Sequence, residues 1–179
     1  MKGRGGFTLI EIMIAIAIVG IVAIIATTNF QLWLSHNSAI DFQRELLAQF
    51  QAARTRSMAT NLQHRLLMNL DAETVALQRG NAGTGSTNWD GTGSALTGSK
   101  GAGIYNITYP PGGTTVNAGS FAFLFNPDGQ VLAQPDPANS AVTALTQAYI
   151  RLSSDSAADH STILLYGWTS KARLADGWL

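Results

Sequence analysis

Apolar side chains dominate the N-terminal part of the chain. No polar side chain occurs from Ile12 to Ala26, and apolar residues extend this run on both sides. A helix of roughly 20 mostly apolar residues is long enough to cross the hydrocarbon core of a bilayer. The pattern therefore predicts a helix over residues 7–35 that can cross a membrane.

One carboxylate, Glu11, lies near the start of this run. A carboxylate in hydrocarbon is costly unless it is paired, and ionisable residues inside membranes usually mark function. Lys2 and Arg4 precede the run, and no formal charge follows Glu11 until Asp41. By the positive-inside tendency, the N-terminus is expected in the cytoplasm and the remainder outside.

A second apolar pattern continues the helix into a more polar part of the chain. Five residues recur at spacings of three and four: Ala39, Phe42, Leu46, Phe50 and Ala53. This spacing is typical of one face of an α-helix. Since no proline precedes Pro110, one helix can run over about residues 7–60. Its second half is predicted to pack this face on a globular domain.

Short segments with β character follow residue 61. Residues 63–70 and 73–78 flank Asp71 and Ala72 and predict a hairpin. The other predicted strands are residues 104–110, the aromatic segment 120–125 with a turn at 126–129, residues 148–153 and residues 161–168. The order of elements predicts an α+β protein, in which the long N-terminal helix packs on an antiparallel β-sheet domain.

Residues 79–103 separate these strands and are rich in glycine and polar side chains. Glycine has a high ordering cost, and the segment offers few apolar contacts to offset it. The segment is therefore predicted to be a long, exposed and mobile loop that tolerates shortening.

Composition excludes several classes of protein. The chain has 179 residues, a formal net charge of zero and no cysteine. The balanced charge argues against a strongly cationic nucleic-acid binder, so nucleic acid is not expected as a partner. The absence of cysteine excludes disulfides, thiolate metal sites and cysteine nucleophiles. Nothing in the sequence indicates a cofactor.

Two groups of polar residues contain the side-chain types of a catalytic site or of a metal site. The side-chain types of a hydrolytic triad occur in one part of the chain, at Asp155, Asp159, His160 and Ser161. Adjacent residues in a strand point to opposite faces, so the last three cannot easily form a relay with each other. A solvated loop is predicted instead. Asn88, Asp90 and the segment "NPDG" at residues 126–129 could bind calcium, but they match no EF-hand pattern and turn formation explains them. No metal site is predicted.

The segment "GGFTLIEIMIAIAIVGI" resembles the class III signal of type IV prepilins and pseudopilins. The resemblance implies cleavage after Gly6, N-methylation of the new terminal residue Phe7, and a role for Glu11 in assembly. Many relatives have a helix-kinking proline where this chain has Thr28, which implies a less kinked helix.

Two other interpretations of the N-terminus remain open. A cleaved secretory signal would have the same basic start and apolar core, but a small-x-small cleavage site is hard to find. A plain membrane anchor would tolerate Glu11 near the interface and leave its presence unexplained.

Later segments are similar to the GspH/FimT family of minor pseudopilins and minor pilins. The family's Ala-Arg pair, followed by small residues and Asn, is echoed by Ala53, Arg54, Ala59 and Asn61. Its Pro-x-Gly turn after an apolar strand is echoed by Pro127 and Gly129. Residues 79–103 are the least similar part.

The C-terminal segment carries Lys171 and Arg173. Some minor pilins of DNA-uptake pili resemble this in having a basic C-terminal strand that touches phosphate. Two charges add only a modest, salt-dependent affinity, and Asp176 offsets part of it. These two residues are candidates for a weak phosphate contact, and a solvated strand edge is the alternative.

The resemblance implies a structural protein and not an enzyme: a minor pseudopilin of a type II secretion system, assembled into a short periplasmic pseudopilus. Its parts would be a prepilin leader (1–6), a transmembrane and filament-core helix (7–35) and a periplasmic pilin-like α+β domain (36–179). The alternatives are a minor pilin of a type IV pilus, which serves assembly or DNA uptake, and a membrane-anchored periplasmic hydrolase or sensor.

The same resemblance implies partners and a location. The expected partners are other pseudopilin or pilin subunits, prepilin peptidase, an inner-membrane assembly platform and membrane lipid. The chain is expected to cross the bacterial inner membrane once, with its N-terminus in the cytoplasm, and then to enter the periplasmic filament.

Overall fold

The computed structural model describes residues 8–98, 101–110, 113–139, 141–155 and 157–179. Within these ranges the chain forms a long helix, α1 (Leu9–Thr60), twelve strands and one turn of 3-10 helix (Ala157–Asp159). The strands are β1 (His64–Asn69), β2 (Thr74–Gly80), β3 (Trp89–Gly91), β4 (Leu96–Thr97), β5 (Gly103–Tyr109), β6 (Thr114–Val116), β7 (Ser120–Phe125), β8 (Val131–Gln134), β9 (Thr143–Ala144), β10 (Gln147–Ser153), β11 (Ser161–Tyr166) and β12 (Lys171–Asp176).

The chain divides into two units, with the boundary between Leu34 and Ser35. The described part of the first unit is helical apart from Thr8. The second unit contains the remainder of α1 and all of the strands just given. The backbone of α1 is continuous through Thr28.

The core of the second unit forms around the C-terminal half of α1. The five apolar residues predicted to share one helix face are all buried, none more than 5% exposed: Ala39, Phe42, Leu46, Phe50 and Ala53. The Phe50 ring lies 5.7 Å from the ring of Phe123 and 6.2 Å from that of Phe125. The helix ends at Thr60, and the next residue, Asn61, has a φ of 53°, a left-handed conformation that asparagine tolerates.

The first sheet packs its aromatic strand against α1. Its strand order is β3-β2-β1-β7-β8-β9, β4 also pairs with β2, and every pairing is antiparallel. The register places Leu66 opposite Phe123 on one side and Leu77 on the other. The predicted β1–β2 hairpin, the aromatic strand and the α+β class are confirmed.

A second antiparallel sheet, with the order β12-β11-β10-β5-β6, completes the domain. The sequence predicted an antiparallel β-sheet domain but did not indicate this division of the strands between two sheets. The two sheets share a hydrophobic core and are bonded at Gly167, whose carbonyl accepts from Val131 N–H at 2.7 Å and whose N–H donates to Thr146 O. A Cβ at Gly167 would overlap the Leu145 carbonyl oxygen, so only glycine fits this close approach.

The prediction of a long exposed loop over residues 79–103 is wrong in part, because the described residues of that segment include two short strands. Its mobility and its tolerance of shortening stay predictions. β3 and β4 pair with the two ends of β2, and Leu96 packs against the core. Polar side chains organise the connection before β3, since Asn81 Oδ1 accepts from the N–H groups of Thr87 and Asn88. Side-chain bonds to backbone provide order here where apolar contacts are few.

Candidate assembly site at the helix start

The start of α1 is closed by a reciprocal pair of hydrogen bonds. Thr8 N–H donates to Glu11 Oε2 at 3.0 Å, and Glu11 N–H donates to Thr8 Oγ1 at 3.3 Å. This arrangement is a capping box, which satisfies backbone donors that the first helical turn leaves unpaired. The Glu11 carboxylate therefore lies at the positive end of the helix dipole. Its second oxygen, Oε1, has no hydrogen-bond partner among the described residues.

The first helical unit exposes an extensive apolar surface. The following large apolar side chains are each at least 49% exposed: Leu9, Ile10, Ile12, Met13, Ile14, Ile16, Ile18, Val19, Ile21, Val22, Ile24, Phe30, Leu32 and Trp33. Phe30 and Trp33 stack with ring centroids 5.8 Å apart. Contiguous apolar surface of this kind marks contact with a protein partner or a membrane.

Two of the predicted site residues, Gly6 and Phe7, lie outside the described residues, so cleavage and methylation at this position stay predictions. Within the described part of the chain, no helix combines the length and the apolar character needed to cross a membrane. The transmembrane segment expected over residues 7–35 therefore also stays a prediction.

The basic C-terminal residues lie on β12, an edge strand of the second sheet. Lys171 pairs in register with Tyr166, and Arg173 pairs with Leu164; both basic side chains are exposed. Arg54 of α1 lines the same surface depression as Lys171, a neighbour that sequence reasoning did not provide. The phosphate contact at Lys171 and Arg173 stays a prediction.

The structure distributes the residues of the suspected triad among different partners. Asp159 pairs with His36 of α1, with 2.6 Å between its Oδ1 and the histidine Nδ1. His160 instead stacks on Trp178 at 4.2 Å, and Ser161 Oγ is buried with no hydrogen-bond partner among the described residues. Asp159 and His36 therefore tie the 3-10 turn to α1, and a serine relay is not formed.

The candidate calcium residues serve local structure. Asp90 Oδ2 accepts from Arg79 Nη2 at 3.4 Å, and Asn88 N–H donates to Asn81. Among the residues that the structure describes, no group of three His, Asp or Glu side chains could hold a metal ion.

Sequence reasoning missed the partner of Glu11 within its own helix. Thr8 and Glu11 form the Thr-x-x-Glu signature of a capping box, so a signal was present. His36 left no comparable signal, because its partner Asp159 lies far away along the chain.

Comparison with known proteins locates one shared feature. Residues 1–27 match the family model of the prokaryotic N-terminal methylation motif. Comparisons with curated proteins and with solved structures gave no match. The chain therefore carries the class III prepilin signal, which supports a type IV pilin-like protein.

Proposed function

We propose that the protein is a minor pseudopilin, a structural subunit of the periplasmic filament of a type II secretion system. The observation that carries this proposal is the methylation motif over residues 1–27, which from Leu9 onward forms the start of a helix with an exposed apolar surface. A processing signal followed by such a helix suits a chain that is trimmed, held in the membrane and then packed among identical or similar helices.

The proposed processing takes place at the inner membrane. Prepilin peptidase removes residues 1–6 after Gly6, and Phe7 becomes the N-methylated terminal residue. Residues 7–35 hold the chain in the membrane with residues 36–179 in the periplasm. The assembly platform then moves the subunit out of the lipid and into the filament.

Glu11 is proposed to guide this assembly. In the isolated chain Oε2 caps the helix, whereas Oε1 has no partner among the described residues. The amine of a neighbouring subunit's Phe7 is a cation that could pair with this carboxylate. A buried charge is strongly unfavourable alone and much less so when it is paired, so the contact favours one register between neighbouring helices.

Features of the globular domain support placing it with the GspH/FimT group. Asn61 adopts the left-handed conformation that ends α1, and Gly129 has a φ of 88° in the turn after Pro127. The motif residues shared with that group therefore occupy positions with specific backbone requirements.

A minor pilin of a type IV pilus is the second candidate. Arg54 and Lys171 line one depression of about 330 Å³, and Arg173 lies two residues further along the same strand. Three cations could contact a phosphate backbone, as DNA uptake would require. The third alternative, a membrane-anchored hydrolase, is not supported, because Asp159 pairs with His36 and not with His160 of the suspected triad.

Deletion of the gene from its host tests the proposed function. We expect protein export into the medium to fall and to recover when the wild-type chain is supplied from a plasmid. Surface pili and DNA uptake should stay normal, because the subunit would serve only the secretion filament. Normal export together with lost piliation or DNA uptake would contradict the secretion role and favour the minor pilin.

A further inference from the structure

A pocket of about 390 Å³ lies on the face of the first sheet that points away from α1. Its floor includes Arg65, Leu124 and Leu132, which are neighbours in register on β1, β7 and β8. Residues 85–87 and 137–139 contribute to its rim. Since side chains alternate along a strand, the floor residues point opposite to the core residues beside them. We call this site the Arg65 pocket.

Arg65 is a buried cation whose hydrogen-bond and ring partners among the described residues are all neutral. It is 9% exposed. Its Nε donates to Gln78 Oε1 at 2.6 Å and its Nη1 to Gln134 Oε1 at 3.5 Å, while the guanidinium carbon lies 4.3 Å from the centre of the Trp89 ring. Among the residues that the structure describes, no carboxylate lies within 4.0 Å of Arg65, and Nη2 has no hydrogen-bond partner.

These neighbours stabilise the guanidinium without neutralising it. Burial lowers the pKa of Arg65, but an arginine side chain stays protonated in proteins. Buried charges are normally paired with an opposite charge. Amide oxygens and an aromatic face contribute partial negative charge only, so the pocket retains a net positive charge.

We propose that the Arg65 pocket binds a carboxylate carried on a short carbon chain. The planar guanidinium matches the two oxygens of a carboxylate, and Nη2 is available as a donor. Trp89, Leu132 and Val142 provide apolar surface for the carbon chain. The volume lies within the range of small-ligand pockets, which combine apolar walls with a few polar groups.

Charge favours a carboxylate over a phosphate. Of the described residues that line the pocket, Arg65 is the only charged one. One guanidinium balances the single charge of a carboxylate, whereas a phosphate would bring up to two charges into the same partly desolvated space. The carboxylate could belong to a glutamate side chain of an extended peptide or to a free organic acid.

Calorimetric titration of the full-length protein in detergent tests the proposal and separates the two sources. The probes are butyrate, acetyl-Ala-Glu-Ala-amide, the matching glutamine peptide and inorganic phosphate. We expect a carboxylate probe to bind and the glutamine peptide not to bind. Binding of the glutamate peptide alone would identify a peptide ligand, and binding of butyrate alone would identify a free acid; either supports the pocket.

Two substitutions of Arg65 and one control complete the test. Arg65→Gln should weaken carboxylate binding about tenfold or more, because it removes a hydrogen bond to a charged group. Arg65→Lys retains the charge but lacks the planar fork of the guanidinium, so it should bind carboxylate more weakly than wild type. This variant tests the proposal if the glutamine variant fails to fold. Arg79→Gln, on the adjacent strand outside the pocket, should bind as wild type does. No carboxylate binding, tighter phosphate binding, or equal binding by the Arg65 variants would overturn the proposal.

Discussion

The Glu11→Ala variant is expected to be cleaved after Gly6 and inserted in the membrane, yet to be absent from the filament. Cleavage and insertion should persist because the substitution makes the segment more apolar and leaves residues 5–7 unchanged. Assembly should fail because the neighbouring subunit's terminal amine loses its partner. An unpaired desolvated charge costs roughly 3–5 kcal/mol, enough to exclude the variant in competition with wild type. The measurement is co-purification of the processed variant with the other filament subunits.

Thr8→Ala is the matched control, because it separates the capping function of Glu11 from its proposed intersubunit function. It removes the hydroxyl that accepts from Glu11 N–H and so weakens the cap by roughly 0.5–2 kcal/mol, but it leaves the carboxylate in place. Incorporation of Thr8→Ala should therefore remain close to that of wild type. If both variants are lost equally, helix capping explains the effect. If Glu11→Ala is incorporated normally, the proposed charge pair is wrong.

The Phe50→Ala variant is expected to destabilise the globular domain by about 3–5 kcal/mol, as truncation of a buried phenylalanine does. Phe50 is fully buried, and its ring fills the space between α1 and the rings of Phe123 and Phe125. The loss is a large part of a total stability of roughly 5–15 kcal/mol. Urea unfolding, followed by tryptophan fluorescence, measures it.

Gln51→Ala is the control for this substitution, since residue 51 is the next position on the same helix and is exposed. Surface changes of this kind usually alter stability by less than about 0.5 kcal/mol. A Phe50→Ala effect as small as that of Gln51→Ala would show that the second half of α1 is not packed on the sheet as described.

The elements that the sequence predicted correctly are those with a local periodic signal. The helix face that contains Phe42, Leu46 and Phe50 follows from spacings of three and four, and all three side chains are buried. The β1–β2 hairpin follows from two strand-like segments separated by a short turn. In both cases the residues that carry the signal lie close together along the chain.

The features that the sequence did not predict depend on distant pairings. The second sheet joins β5 to β10, and no short-range pattern specifies that choice. Trp89 lies in a segment whose composition is typical of a loop, yet its ring packs on Arg65. The buried arginine likewise gave no signal, because one charged residue in a short strand is usually solvated.

The proposed assembly site was predictable in part. The apolar run, Glu11 and the glycine before Phe7 are visible in the sequence, and the family match covers the same residues. What the structure adds is the bond between Thr8 and one carboxylate oxygen. That bond shows that Glu11 has a role within its own helix, so an assembly role must be tested against it.

The most direct test of the central claim is the intact mass and N-terminal sequence of the protein purified from host membranes. If the chain is a processed filament subunit, residues 1–6 are absent and the first residue is N-methylated phenylalanine at position 7. Expression without prepilin peptidase should leave the leader in place. A protein that retains Met1 in its normal host, or that is cut near Ala26 as a secretory signal would be, would contradict the account.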